Sequence, residues 1–120
     1  MPAVPCSLLQ PEALKARFAQ PPVWQPEITR ENFASDRPPA HAAVLVPIVM
    51  RGANASTPTV LLTRRAAHMN THSGQIAFPG GKVDPEDSNM QATALREAHE
   101  EVGLEARHVQ VIGELPVYVT

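Results

Sequence analysis

Phe78-Pro-Gly-Gly-Lys-Val-Asp-Pro-Glu-Asp87 and, after a bridge of eight residues, Arg96-Glu-Ala-His-Glu-Glu-Val-Gly-Leu104 form the stretch that decides the reading of this chain. A glycine pair leads into a segment that carries three glutamates, Glu97, Glu100 and Glu101. Asn89 to Val102 reads as a helix. Ser88 or Asn89 can cap its start, and Gly103 stops it in the manner of a C-terminal glycine.

On a helix that turns about 100° per residue, with Glu97 at zero, Glu101 falls at about 40° and Glu100 at about 300°. The three carboxylates therefore share an arc of about 100°. Ala94, Leu95, Ala98 and Val102 occupy a separate apolar arc of roughly 60° to 160°, suited to packing on a sheet. Like charges this close repel one another and weaken a helix. A hard divalent cation would relieve that repulsion, and Mg²⁺ favours carboxylate oxygens together with substrate phosphates. Taken alone, the acidic arc reads equally as a solvated surface.

Outward from this stretch, the 120 residues suffice for one domain. The formal charge of -2 supplies no basic field for nucleic acid. A single cysteine, Cys6, cannot form an internal disulfide, which fits a reducing compartment. Met1 to Cys6 has neither the basic nor the apolar region of a signal peptide, and the longest mostly apolar run, Ala42 to Met50, is too short to span a bilayer. The expectation is a soluble cytoplasmic protein without a membrane partner.

Residues 1–40 hold eight of the thirteen prolines and read as a proline-rich extension. Its one helical segment is Pro11 to Gln20, which opens on proline and Glu12 and stops at Pro21-Pro22. Leu14 and Phe18 form a small apolar face, and Trp24 and Phe33 are candidate anchors of an extended arm. His41 to Met50 reads as one strand, apolar on both faces, in which Pro47 implies a bulge or an edge position, and Thr59 to Thr63 as its hairpin partner. Gly74 to Phe78 is a short strand that delivers the chain to a glycine loop. Val109 to Gly113 and Leu115 to Val119 read as two further short strands, or as one strand interrupted by Pro116. The order of elements predicts a mixed α/β or α+β domain.

The loop at Gly80-Gly81 lets the backbone come close to a ligand or to the helix. A carbonyl there can join a metal shell, and exposed amides can face a phosphate. The glycine pair alone signals only a turn, but its fixed distance from the acidic helix carries more weight.

From Gly81 to Leu104 the chain resembles the Nudix hydrolase signature, G-x5-E-x7-R-E-U-x-E-E-x-G-U, in which U is bulky and aliphatic. Arg96, Glu97, Glu100, Glu101, Gly103 and Leu104 match, and Ala98 replaces a bulkier residue. The span from Gly81 to Arg96 is one residue longer than the pattern. Anchored on Gly81, the first acidic position falls on Asp87; anchored on Gly80, it falls on Glu86. Leu61 to Gly81 is similar to a second signature, L-L-T-x-R-[S/A]-x-x-L-x-x-H-x-G-x-x-x-F-P-G-G, that accompanies the box in coenzyme A pyrophosphatases. Met69 stands there for leucine.

The resemblance implies a Nudix fold in which a mixed β-sheet packs against the box helix in an α/β/α sandwich. Residues 41–120 would be the N-terminal portion of that domain, with its C-terminal part missing. The chain is then a fragment, or it takes a partner at the open edge, a homodimer among the options. The resemblance further implies Mg²⁺ or Mn²⁺ held by Glu97, Glu100, Glu101 and the Gly80 carbonyl, with Arg96 fixing the carboxylates, Asp87 among its partners. Glu97 is the first choice for catalytic base. Arg64, Arg65, Lys82 and His72 are candidates for substrate contact, Arg65 foremost. His41, His68, His99 and His108 are taken as surface or structural. The implied reaction is hydrolysis of coenzyme A to 3′,5′-ADP and phosphopantetheine. The alternatives are another nucleoside diphosphate linked to X, such as ADP-ribose or a dinucleotide, or a non-catalytic binding domain on the same fold.

Overall fold

A computed structural model describes residues 3–27, 40–64 and 74–119. Arg65, His68, Met69, His72 and Phe33 lie outside the described residues. The chain divides into two compact units, one of residues 1–40 with 111–120 and one of residues 41–110.

In the first unit a 3-10 turn, Cys6–Leu9, precedes helix α1, Pro11–Ala19. Pro11 stands at the helix start, where its missing N–H costs nothing, and Glu12 sits in the first turn. Phe18 packs so closely over Gly113 that any side chain at 113 would strike its ring. Trp24 is 63% exposed, so it does not anchor the arm as expected. Its neighbours Pro21, Pro22, Val23 and Gln25 are exposed as well. The strands expected at 109–113 and 115–119 are absent apart from an isolated bridge at Val119. A strand exists only when a neighbour takes up its backbone groups, and among the described residues no strand pairs along this segment. Val111, Leu115, Val117 and Tyr118 stay exposed, Val117 at 84%.

Among its described residues the second unit holds six short strands, β1 (Ala42–Val44), β2 (Ile48–Arg51), β3 (Thr57–Val60), β4 (Thr63–Arg64), β5 (Ile76–Ala77) and β6 (Gly80–Lys82), and helix α2, Met90–Val102. Helices and strands mix as the order of elements predicts. Among the described residues the strands pair antiparallel as β1 with β6, β2 with β3 and β4 with β5.

Pro47 divides the run expected to be one strand. It is buried and donates no N–H, and the chain changes partner across it. Residues before it join β6; residues after it form the β2–β3 hairpin, which Leu61 N–H extends by donating to the Pro47 carbonyl at 3.1 Å. The hairpin turn needs left-handed backbone at Gly52, Asn54 and Ala55. The glycine pair is likewise no loop. Gly80 and Gly81 lie within β6, opposite Val44 and Ala43.

Helix α2 is well delimited. Asn89 Oδ1 accepts from Ala92 N–H at 2.8 Å, and Gly103 adopts φ 71° while its N–H closes onto the His99 carbonyl. The helix packs on β1 and β6 through Ala94 and Ala98, both buried. Alanines on this face bring the helix axis close to the ladder, so side chains on the flanks of that face reach strand β6. Leu95 is half-buried and Val102 exposed, so the apolar arc is filled on the side that adjoins Glu97 and open on the far side.

Candidate active site

The site is built where β6 passes under α2. A β-carbon on Gly81 would stand 2.6 Å from Glu97 Oε1, so only glycine admits the carboxylate there. A β-carbon on Gly80 would instead stand 2.5 Å from the Ala43 carbonyl. The two glycines thus serve different ends: Gly80 allows β6 to pair with β1, and Gly81 allows Glu97 to lie on the strand.

Arg96 organises the carboxylates. Its Nε donates to Asp87 Oδ1 and its second terminal nitrogen to Asp87 Oδ2, each at 2.9 Å, a two-pronged pairing of guanidinium and carboxylate. That second nitrogen also donates to the Lys82 carbonyl at 3.0 Å, which ties the helix to the end of β6. The remaining nitrogen donates to Glu97 Oε1 at 3.1 Å and to both Glu100 oxygens at 3.2 and 3.3 Å.

Asp87 is held on every side. Beyond Arg96 it accepts from Asp84 N–H and Thr93 Oγ1–H, each at 2.9 Å, and its side chain is 6% exposed. The Arg96 hydrogen bonds, then the Asp84 amide, hold its carboxyl well below the usual carboxylate range against a smaller opposing effect of burial. The Arg96 guanidinium is held charged in turn, first by Asp87. Glu86, the other acid open to this position in the sequence, uses only its amide, which donates to Asp84 Oδ1 at 3.0 Å. The contact with Arg96 therefore selects Asp87.

Glu97 is 18% exposed and Glu100 55%. Among the described residues Oε1 of Glu97 is engaged with Arg96, and Oε2 carries no hydrogen bond. Glu101 is exposed on the same helix. The donor set suits a hard divalent cation: carboxylate oxygens, one of them open, beside a strand backbone that glycine leaves bare. No group of three His, Cys, Asp or Glu is already gathered around one point among the described residues, so an ion would have to draw the third ligand in. Lys82 is exposed on β6 and Arg64 on β4, and neither side chain pairs with these carboxylates. An open hollow beside another face of α2, lined by Ala92, Leu95, Arg96, His99, Glu105 and Ala106, carries none of the three glutamates.

The NUDIX domain family matches residues 39–120, more than half of the chain. The chain belongs to the Nudix family. A protein of Yersinia enterocolitica described as an uncharacterized Nudix hydrolase, NudL, is 59% identical over 75 residues, which covers 62% of this chain and 36% of that protein. NudL proteins of Yersinia pestis and Yersinia pseudotuberculosis, described in the same words, are 57% identical over 74 residues, 62% of this chain and 35% of each relative. The chain thus spans a little over a third of the length of the curated relatives it matches. Nudix hydrolases act on small nucleotide-containing substrates and generally use divalent ions such as Mg²⁺ or Mn²⁺, a chemistry with which the carboxylates around Arg96 agree.

Two parts of this Nudix site escaped the sequence reading. The Lys82 carbonyl carries no side-chain signature. Thr93 does carry one, since it stands four residues before Glu97 and so on the same side of the helix. It is a β-branched, hydroxyl-bearing residue inside a helix that otherwise offers alanine and leucine to its buried side.

Proposed function

We propose that the chain belongs to a metal-dependent diphosphate hydrolase acting on coenzyme A or its derivatives, with 3′,5′-ADP and phosphopantetheine as products. The observation that carries the chemistry is the fan of Arg96, which binds Asp87, Glu97 and Glu100 at one end of β6. The choice of coenzyme A is supported by the Leu61 to Gly81 signature that leads into the box in the sequence.

Glu97, Glu100, Glu101 and the Gly80 carbonyl would hold Mg²⁺ or Mn²⁺. When bound, the ion neutralises charge on the diphosphate oxygens and makes water easier to deprotonate. Arg96 engages Glu97 through Oε1, and among the described residues Oε2 carries no hydrogen bond, which supports Glu97 as the proposed acceptor of the proton of the attacking water. Water oxygen then bonds to one phosphorus while the anhydride P–O bond breaks, and the leaving phosphate carries away the electron pair. Arg64, Arg65, Lys82 and His72 are proposed to meet the diphosphate and the ribose 3′-phosphate, where cationic donors are required. A cytoplasmic setting is part of this reading, with Cys6 an exposed free thiol. So is a small-molecule partner rather than nucleic acid or a membrane. Among the described residues no helix is long and apolar enough to cross a bilayer.

The deciding experiment compares release of 3′,5′-ADP from coenzyme A with release of AMP from ADP-ribose, with and without Mn²⁺. Faster turnover of coenzyme A is expected. Equal or greater turnover of ADP-ribose removes the coenzyme A assignment. Hydrolysis that survives Glu101→Gln removes the metal set.

A further inference from the structure

Thr93 is fully buried on α2 yet polar, and nothing in the proposed chemistry uses it. Its hydroxyl has one proton and two acceptors within reach, Asp87 Oδ2 at 2.9 Å and the Asn89 carbonyl at 3.3 Å. The Asn89 carbonyl already accepts the Thr93 backbone N–H at 3.2 Å. Asp87 is closer and ionised, and a charged acceptor makes the stronger hydrogen bond. The proton therefore goes to Asp87.

Among the described residues Asp87 is the only carboxylate that takes two nitrogens of Arg96, and a third nitrogen of that fan reaches Glu97 and Glu100. Asp87 belongs to the turn after β6, in which its own N–H donates to the Asp84 carbonyl at 2.9 Å. The hydroxyl of Thr93 is the bond from the helix interior that orients this turn's carboxylate from behind. We infer that Thr93 is a positioning residue for the acidic site, acting through Asp87 and Arg96 to set the direction of Glu97 and Glu100. This rests on the reading of those glutamates as cation ligands. The alternative for Thr93 is a local role, in which the hydroxyl merely supports the first helical turn at Asn89.

The test is Mn²⁺ titration of the whole chain by calorimetry, with Thr93→Val, Thr93→Ser, Asp87→Asn and the double variant T93V/D87N. Removing a group that orients a ligand costs about 10- to 100-fold in metal affinity. T93V is expected to weaken Mn²⁺ at least about tenfold, T93S to restore it, and T93V to add nothing in the D87N background, since a residue acting through Asp87 is silent once Asp87 is changed. Affinity of T93V within about threefold of the parent overturns the inference, as does a loss that multiplies with that of D87N.

Exchange of the Arg96 Nε–H, followed by NMR without metal, separates this inference from the metal reading. Protection in the parent that is lost in T93V supports the relay, even if the parent binds no Mn²⁺ and the metal reading fails. Equal exchange in parent and T93V overturns the relay whatever the titration shows.

Discussion

Glu97 lies against Gly81 with no room for a β-carbon between them: one built on Gly81 would stand 2.6 Å from Glu97 Oε1. The helix supplies the carboxylate and the strand supplies its seat. Gly81→Ala should therefore displace Glu97 without touching the contacts of Ala94 and Ala98. A misplacement of about 1 Å at a reacting group costs on the order of 100-fold in rate. Measurement of kcat/KM should show that loss, with the helical circular dichroism signal unchanged.

Arg96→Lys keeps the charge and loses the fork. A lysine ammonium can meet one of Asp87, Glu97 and Glu100, whereas the guanidinium meets all three and the Lys82 carbonyl. Metal affinity or activity should fall about 10- to 100-fold, as for other groups that orient metal ligands. A Mn²⁺ titration checks the first and initial rates the second.

Asp87 predicts an acid-sensitive stability. Its carboxyl is held below its ordinary value of 3.8, so the unfolded chain binds the proton first as pH falls. The stability it contributes is complete above that value and is lost as pH drops toward the folded-state value. Thermal midpoints recorded from pH 6 down to pH 3 should fall more steeply for the parent than for Asp87→Asn. The gap between the two proteins should be widest at pH 6 and narrow toward pH 3.

Asn89 caps α2 through its side chain. Asn89→Ala should cost about 1 kcal/mol of stability, measured by urea unfolding. The substitution leaves the Asn89 carbonyl and the Arg96 fan in place, so the effect on Mn²⁺ affinity should be small beside that of Arg96→Lys.

The helical parts of the chain were legible because their signals are local. Pro11 and Glu12 mark one helix start, and Asn89 and Gly103 bracket the other helix, each acting within a few residues of its own position. The strands were less legible. A run such as His41 to Met50 shows an apolar pattern, but whether it stays one strand depends on partners far along the chain, and here Pro47 sends its two halves to β6 and β3. The same dependence explains why Val109 to Val119 carries a strand pattern without forming a ladder.

The sequence by itself determined the family box, the helix that bears it and the side of that helix on which Glu97, Glu100 and Glu101 stand, because a helix of known pitch converts spacing into direction. Tertiary structure alone decided which acid Arg96 grips. Asp87 and Glu86 are adjacent and chemically alike, and only the turn closed between Asp84 and Asp87 brings the Asp87 carboxylate to the guanidinium. It likewise decided that Gly81 seats a glutamate while Gly80 seats a strand, since successive residues of a strand face opposite sides.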